Sequence, residues 1–203
     1  MVQRGSYAKG VAKREQILHE ALAVIAREGY RGASVREIAD AVGLSQAGLL
    51  HYFDSKEELF VEILRVRDRV DVAALGGETD DAADLGALTD GYLRIIRHNT
   101  DVPGLVQLFA QMASDAADPQ HPAHAYFLER GAMFRSGCAA AFARAQSAGT
   151  VTDRVAPETI ARTLQAVWDG AQMQWLLDSS VDVAGIVGAY LHSLAPAPEG
   201  QRA

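Results

Sequence analysis

The sequence predicts an all-α protein of about nine helices, in which a small N-terminal domain of three helices precedes a larger helical domain. Apolar residues recur three or four positions apart along most of the chain, whereas strict alternation of apolar and polar residues is rare. Glycine, proline and capping residues divide this pattern into segments of helical length. With 203 residues, of which 49% are hydrophobic, the chain can bury a substantial core.

Composition excludes several classes of protein. The single cysteine, Cys138, excludes a disulfide framework and cysteine-based metal sites, and it is typical of a reducing compartment. No apolar run approaches the roughly 18 residues that a membrane span requires. The basic N-terminus is not followed by the apolar segment of a secretory signal. We therefore expect a cytoplasmic protein that contacts no membrane and carries no cofactor.

Three short helices are predicted within residues 11–53. The first has an apolar stripe that stops at Gly29. The residues of this stripe are Ile17, Ala21, Val24 and Ile25. Ser34 and Glu37 form a capping box that begins the second helix. Gly43 ends that helix, because glycine readily adopts left-handed backbone.

The third helix is predicted to begin after Ser45 and to extend through Phe53. Ser55 and Glu58 then form a second capping box, which opens a longer helix. One face of this longer helix is apolar and consists of Leu59, Ile63, Val66 and Val70.

The rest of the chain divides at two predicted loops, Gly76–Asp84 and Asp115–Pro122. Around these loops, the apolar spacing and the positions of proline and glycine predict five further helices. They are Leu85–Ile96, Pro103–Met112, Tyr126–Ala148, Pro157–Leu177 and Val183–Leu194.

The second and third helices are so closely spaced that they predict a helix-turn-helix. The residues expected to form its shared core are Ile38, Ala39, Val42, Leu49 and Phe53. At 100° per residue, the third helix turns Leu49 and Phe53 inward and Ala47, Gly48 and His51 outward. An outward face this small lets a helix enter the major groove of DNA, which is about 12 Å wide.

Several side chains near this motif fit contacts to double-stranded DNA. Gln46 can pair with an adenine edge, and Ala47 can touch a thymine methyl group. Arg36 can reach a guanine or a phosphate, and Lys56 can hold a phosphate. The charge distribution agrees, because residues 1–53 carry seven basic and five acidic side chains whereas the chain as a whole has a net charge of −7.

Four segments together resemble the N-terminal domain of TetR-type transcriptional repressors. They read SVREIA at 34–39, VGLS at 42–45, HYF at 51–53 and SKEEL at 55–59. The resemblance implies a DNA-binding domain at 1–54 and an all-helical ligand-binding and dimerisation domain at 55–203. This sequence departs from the family pattern at Gly48, where a hydroxyl residue is usual, and at Leu50, where an aromatic residue is usual.

With the resemblance, the predicted DNA-contacting residues are Ser34, Arg36, Ser45, Gln46, Ala47, His51, Tyr52 and Lys56. Because Gly48 and Leu50 lack the usual contacting groups, Tyr52, Lys56 and Arg36 are expected to make more of the contacts. The function implied is that of a ligand-responsive regulator, a repressor more than an activator. It would bind a palindromic operator as a homodimer and be released by a small molecule.

Two apolar stripes on the helix from Pro157 predict a second interface, because one stripe can face the core and the other a partner chain. The polar sector between the stripes consists of Glu158, Arg162, Gln165, Asp169 and Gln172. The last helix adds small residues that allow close approach of a second backbone. The predicted dimer-interface residues are Ala166, Gly170, Met173, Leu177, Gly185 and Ala189.

Aromatic and methionine side chains between the predicted helices are either ordinary core or the lining of an apolar ligand pocket. The resemblance favours a pocket for a largely apolar effector, whose identity the sequence does not give. The predicted lining residues are Tyr92, Phe109, Met112, Tyr126, Phe127, Phe134 and Trp168.

Two other interpretations stay open on the sequence alone. The chain could be a helical enzyme or small-molecule-binding protein without DNA binding, or it could be a DNA-binding protein without an effector. No catalytic motif favours an enzyme. Asp115, Asp118, His121 and His124 have the spacing of a metal site, but Pro119 and Pro122 interrupt any helix that would align them, so a polar loop without metal is expected.

Overall fold

The computed structural model describes residues 3–75 and 84–196, and within these ranges the secondary structure is entirely helical. The nine helices of the described residues are α1 Gln3–Gly32, α2 Val35–Ala41, α3 Gln46–Leu50, α4 Lys56–Leu75, α5 Leu85–Thr100, α6 Pro103–Asp115, α7 His124–Ser147, α8 Pro157–Leu177 and α9 Val183–His192. The predicted fold class is therefore confirmed. Of the loop predicted at Gly76–Asp84, all but Asp84 lies outside the described residues.

The chain packs as two compact units. The first contains the described residues up to Val70 together with Val102–Phe127. The second contains Asp71–Asp101 and the described residues from Leu128 onward. The domain boundary predicted between residues 54 and 55 marks the end of the helix-turn-helix sequence and stays a prediction.

The core of the first unit is built on α1. The predicted apolar stripe of α1 is buried, and α1 departs from helical backbone at Gly29, where φ is +70°. Helix α6 approaches α1 so closely that a Cβ atom on Gly104 would lie 2.5 Å from the carbonyl oxygen of Ile25. Only glycine fits at position 104, so a residue distant in sequence sets the spacing of α1 and α6.

Helix α4 buries most, but not all, of its predicted apolar face. Leu59, Ile63 and Val66 are buried in the core of the first unit, whereas Val70 is exposed. The prediction for Val70 is therefore wrong. Val70 is the last residue of α4 that belongs to the first unit, beyond the point where the core of that unit ends.

Tyr92 on α5 lies in the core of the second unit. Its ring stacks on Phe142 of α7 at 6.4 Å, and its hydroxyl lies 2.8 Å from the Sγ atom of Cys138. Burial raises the pKa of Cys138 to about 11, so the thiol is protonated and unreactive at neutral pH. Helix α9 packs on α8, where the Tyr190 hydroxyl donates to the carbonyl oxygen of Ile160 at 3.2 Å.

Several helix ends differ by a few residues from those predicted: α5 and α6 extend to Thr100 and Asp115, and α9 ends at His192. Helix α7 ends before Gly149, whose φ of +75° suits glycine. In the parts of the chain that the structure describes, we find no helix with both the length and the apolar character needed to span a bilayer.

Candidate DNA-binding surface

Helix α2 begins with the predicted capping box. The Ser34 hydroxyl oxygen accepts a hydrogen bond from the Glu37 backbone N–H at 3.2 Å. The Glu37 carboxylate in turn accepts one from the Ser34 backbone N–H at 3.0 Å. These bonds satisfy two backbone donors that a helix start leaves unpaired. They also commit the Ser34 hydroxyl to the cap, although this exposed serine is one of the predicted phosphate contacts.

The turn between α2 and α3 is built on Gly43. Its φ of +68° is the left-handed conformation that glycine tolerates best. Immediately after it, the Leu44 N–H donates to the carbonyl oxygen of Ala39 at 2.9 Å and closes the C-terminus of α2. Ser45 then begins α3, since its hydroxyl accepts the Gly48 N–H at 3.0 Å. The predicted helix-turn-helix is therefore formed by the local signals on which the prediction depends.

Helix α3 separates an anchored inner face from a free outer face. Leu49 is completely buried in the shared core, as is Phe53 immediately beyond the helix. Gln46, Ala47 and His51 are exposed, as the helical geometry predicts. Three of the predicted base-contacting side chains therefore lie together on an accessible surface.

Helix α3 is shorter than predicted, because it ends at Leu50 and not at Phe53. The Tyr52 N–H bonds to the carbonyl oxygen of Leu49, three residues back, which tightens the last turn. The Tyr52 carbonyl oxygen, which would lack a helical partner even in a helix that ended at Phe53, accepts a hydrogen bond from the Arg14 guanidinium. A side chain of α1 thus holds the backbone just beyond the end of α3.

Arg14 joins three parts of the first unit. In addition to the Tyr52 carbonyl, its guanidinium donates to the Glu58 carboxylate of α4 at 2.8 Å. It also lies over the Phe53 ring, 4.3 Å from the ring centre. One side chain of α1 therefore fixes both the end of α3 and the start of α4.

The second predicted capping box is only half formed. The Ser55 hydroxyl accepts the Glu58 N–H at 3.0 Å, as predicted. The Glu58 carboxylate, however, accepts the Asp54 N–H and the Arg14 guanidinium, not the Ser55 N–H. Burial alone would raise the pKa of Glu58, but the hydrogen bonds from Arg14 and the Asp54 backbone, with the charge of Arg14, lower it below its usual value of 4.5.

The remaining predicted DNA contacts flank α3. Arg36 is exposed on α2 and lies 3.9 Å from the Asp40 carboxylate, a pair that holds the arginine only weakly. Tyr52 is half-buried with its ring edge-on to His51, at a distance of 5.9 Å between ring centres. Lys56 is exposed at the start of α4, with its ammonium group 5.4 Å from the centre of the Phe60 ring.

Sequence reasoning missed the structural roles of two basic residues in α1. Lys13 donates to the carbonyl oxygen of Val42 at 3.2 Å, next to the turn before α3. Arg14 makes the contacts described above. Both were treated only as part of the basic charge of the N-terminal region, because their partners lie 29 to 44 residues away in sequence.

The predicted ligand-lining residues fall into two clusters. The cluster in the first unit contains Phe109, Met112, Tyr126 and Phe127, and the rings of Phe109 and Phe127 are 5.3 Å apart. The cluster in the second unit contains Tyr92, Phe134 and Trp168, whose ring centres are 5.9 to 6.5 Å apart. Each cluster packs on its own core, and the role of these residues in ligand binding stays a prediction.

The predicted dimer-interface residues of α8 and α9 are exposed or partly exposed, and their role in an interface stays a prediction. Ala166, Gly185 and Ala189 are exposed and Gly170 is partly exposed. Among the large apolar residues of these helices, Leu177 is 88% exposed, Met173 is 49% exposed and the neighbouring Ile186 is 40% exposed. One residue of the predicted polar sector, Gln172, is buried. On the helical wheel, Gln172 falls at the edge of the core-facing stripe and not opposite it.

Asp118 and His121 lie in the predicted loop between α6 and α7, whereas Asp115 is the last residue of α6 and His124 is the first residue of α7. His124 Nδ1 lies 2.8 Å from the carbonyl oxygen of Ala116, to which it donates. His121 Nδ1 accepts the Ala123 N–H at 3.2 Å. These contacts show that both rings contribute to the structure of the loop.

Comparison with known proteins finds a family model that matches the helix-turn-helix segment. The family model for bacterial regulatory proteins of the tetR family matches residues 17–63, which span the helix-turn-helix and the start of α4. Among similar proteins, the HTH-type transcriptional regulator RutR of Escherichia coli K12 is 34% identical over 99 residues, 48% of this chain and 46% of RutR. The HTH-type transcriptional repressor KstR2 of Rhodococcus jostii is 31% identical over 115 residues, 57% of this chain and 48% of KstR2. The chain thus matches about half the length of each of these relatives.

Solved structures share the whole fold. A TetR transcription regulator from Haloarcula marismortui superposes with a TM-score of 0.73 and 22% identity, covering 91% of this chain and 97% of that one. A TetR-family regulator from Agrobacterium tumefaciens gives a TM-score of 0.70 and 21% identity, covering 92% and 99%. These relatives are regulators, which agrees with the expectation that the chain is not an enzyme. Residues 17–63 therefore match the helix-turn-helix segment of the tetR family of bacterial regulatory proteins, and the chain shares the fold of the solved TetR-type structures.

Proposed function

We propose that the protein is a transcriptional regulator, and more specifically a repressor, that reads double-stranded DNA with the outer face of α3. The observation that carries this proposal is the exposed set of Gln46, Ala47 and His51 on a helix whose opposite side is anchored by Leu49 and Phe53. A rigid helix with a small polar face can lie in the major groove and present side chains to base edges. RutR and KstR2, with which the chain shares this region, are both named as transcriptional regulators.

The proposed contacts divide into two classes. Gln46, Ala47, His51 and Arg36 read or approach bases, whereas Ser34, Ser45, Tyr52 and Lys56 hold the sugar-phosphate backbone. The Ser45 hydroxyl accepts the Gly48 N–H and can still donate its own proton to a phosphate. The Ser34 hydroxyl donates to the Glu37 carboxylate, so it would have to give up this hydrogen bond to donate to a phosphate.

Selection of duplexes from a random pool tests this function, followed by binding measurements across a salt series. We expect the Lys56→Ala variant to bind every duplex more weakly and to reduce the salt slope by about one unit. The Gln46→Ala variant should instead relax preference at one base pair, at a cost of about 1–3 kcal/mol against the preferred base. Failure to enrich any duplex, together with equal binding of random DNA by the parent and Gln46→Ala proteins, would favour a helical ligand-binding protein or enzyme without specific DNA recognition.

We further propose that the protein acts as a homodimer through α8 and α9. Their exposed apolar side chains, Met173, Leu177 and Ile186, lie on two helices that pack on each other, with small residues between them. A second copy of the same surface would bury these side chains and form a four-helix interface across a two-fold axis. A dimer also presents two copies of α3 to DNA, so the operator should be palindromic, with half-sites about 34–36 Å apart.

Light scattering after size-exclusion chromatography tests the dimer. We expect the parent protein to elute at twice its chain mass and the Met173→Glu variant to dissociate, because a charge would be buried in the interface. Met133→Glu is a matched control, since Met133 is also exposed but lies on α7. Equal elution of all three proteins at the chain mass would contradict the proposal.

The small-molecule response is the third part of the proposal. A largely apolar effector would bind among the aromatic residues of the helices beyond α3 and weaken DNA binding, which requires a coupling free energy of about 1–3 kcal/mol. An electrophoretic mobility-shift assay measures this response, because the effector should abolish the shift of the operator duplex. A duplex affinity that no compound from a broad library alters would favour a DNA-binding protein without an effector.

A further inference from the structure

Two buried hydrogen-bond donors on α8 lack acceptors. Among the described residues, neither the indole Nε1 of Trp168 nor the side-chain Nε2 of Gln172 has a hydrogen-bond partner. Gln172 is only 5% exposed. Buried polar groups in folded proteins are almost always paired, because an unpaired buried donor gives up its hydrogen bond to water and gains none in return. Two such donors in one place therefore need a structural or functional reason.

The two donors belong to residues one helical turn apart. Trp168 and Gln172 are four residues apart on a regular helix, so their side chains project from the same side of α8, one turn apart. A single acceptor atom with two lone pairs, or two acceptors on one small molecule, can therefore reach both donors.

Aromatic rings surround the Trp168 donor. The Trp168 ring is edge-on to Phe134 at 5.9 Å and to Tyr92 at 6.5 Å between ring centres. The Tyr92 hydroxyl pairs with the Sγ atom of Cys138, and the Trp168 Nε1 is without an acceptor among the described residues. Phe134 and Trp168 are both only partly buried.

We propose that this part of the second unit is an effector site and that the effector is a small planar molecule with a carbonyl oxygen, which accepts hydrogen bonds from Trp168 and Gln172. The inference rests on the proposed regulatory function and specifies the chemistry of its effector. Both donors are uncharged, and they match a carbonyl oxygen, which carries no net charge. A carboxylate would be costly to bury among aromatic rings unless a cation accompanied it. The rings of Tyr92, Phe134 and Trp168 would pack on the planar remainder of the molecule.

A matched pair of probes tests the site in the full-length protein. Acetophenone carries a carbonyl oxygen, and α-methylstyrene has the same shape with a methylene group in place of that oxygen. The chain contains two tryptophans, so its nitrogen-15 NMR spectrum has two indole signals, and the Trp168→Phe variant identifies that of Trp168. We expect acetophenone, and not α-methylstyrene, to shift the Trp168 indole proton downfield, as formation of a hydrogen bond requires. No shift with acetophenone, or an equal shift with both probes, overturns the proposal.

Two glutamine variants supply an independent measurement. Gln172→Met keeps the size of the side chain and removes the amide, so we expect acetophenone to bind about threefold to tenfold more weakly. The free protein should then melt at a higher temperature, because a buried donor without a partner has been removed. Gln174→Met, on the exposed side of the same helix, should change neither quantity. A lower melting temperature for Gln172→Met would mean that the amide is already paired, and this result also overturns the proposal.

DNA binding by the same proteins separates this inference from the proposed function. If the parent chain selects a specific duplex while acetophenone leaves the Trp168 signal unchanged, the proposed effector chemistry is wrong and the proposed regulatory function is not contradicted. If acetophenone binds as expected but no duplex is selected, the site stands and the regulatory function is wrong.

Discussion

Replacement of Arg14 by alanine should weaken DNA binding without any loss of a direct DNA contact. In the structure, the Arg14 guanidinium holds the Tyr52 carbonyl and the Glu58 carboxylate and lies over the Phe53 ring. Tyr52, one of the proposed phosphate contacts, is itself a partner of Arg14, and Lys56, another, lies between Phe53 and Glu58 in the sequence. The Arg14→Ala variant would therefore leave the end of α3 and the start of α4 less firmly positioned.

The magnitude follows from the contacts. A hydrogen bond to a charged group is worth about 1.5–3 kcal/mol when buried, but the side chains of Arg14 and Glu58 are 34% and 30% exposed. Solvent at that exposure screens the pair towards the value of a surface salt bridge, about 0–1 kcal/mol. The contact with the Phe53 ring adds about 0.5–1 kcal/mol. We therefore expect a loss of about 1–2 kcal/mol in the free energy of unfolding and a fall in operator affinity of about tenfold.

Thermal unfolding and duplex binding measure these two effects, and Arg27→Ala is the matched control. Arg27 is also an α1 arginine, but it is 65% exposed and pairs only with its neighbour Glu28. Both variants lose one positive charge, so a general electrostatic effect on DNA would weaken them equally. Arg14→Lys should be intermediate, because an ammonium group cannot bridge two acceptors in a fork. Equal duplex affinity and melting temperature for Arg14→Ala and Arg27→Ala would refute the reasoning.

Three further changes have definite expected outcomes. Because the pKa of Glu58 is lowered in the folded protein, the ionised carboxylate stabilises the fold fully above pH 4.5, and this contribution is lost as the pH falls through the folded pKa. The melting temperature of Glu58→Gln should therefore fall less steeply with decreasing pH than that of the parent. An equal fall for both proteins would contradict this expectation. Gly104→Ala should lower the free energy of unfolding by about 1–3 kcal/mol, because its Cβ would collide with the α1 backbone. Gly137→Ala on α7, with open space around its Cβ, should raise it by about 0.5–1 kcal/mol. If both variants shifted the denaturant midpoint in the same direction, this result would contradict the packing. Gly43→Ala should lower the free energy of unfolding by about 1–2 kcal/mol, because alanine tolerates the left-handed backbone at this position poorly. A melting temperature equal to that of the parent would show that the turn relaxes at no cost.

The helix-turn-helix could be predicted from the sequence because its determinants are local. Ser34 and Glu37 cap a helix within four residues, and Gly43 ends it within the next turn. The inward positions Leu49 and Phe53 follow from helical periodicity alone. Burial of these positions can be predicted without knowledge of what packs against them, because it requires only that one face of the helix is apolar.

The features that were missed depend on partners distant in sequence. Just beyond the early end of α3, the Tyr52 carbonyl accepts a hydrogen bond from Arg14, 38 residues away in sequence. Val70 follows the apolar spacing of α4 but stands beyond the core that buries the earlier positions. Gln172 belongs to the polar sector of α8 and yet is buried, because a lone sequence gives no sign that a polar side chain enters the interior.

The dependence of α1 on α6 has a consequence for how the protein is made. The packing that surrounds Ile25 is completed by Gly104 and the residues that follow it, and the first unit closes only with the segment that ends at Phe127. As the ribosome extends the chain from its N-terminus, the helix-turn-helix emerges with part of its apolar surface still uncovered. A nascent chain of the first 75 residues would therefore fold incompletely, and protection of Ile25 from solvent should appear only after residue 127 has left the exit tunnel.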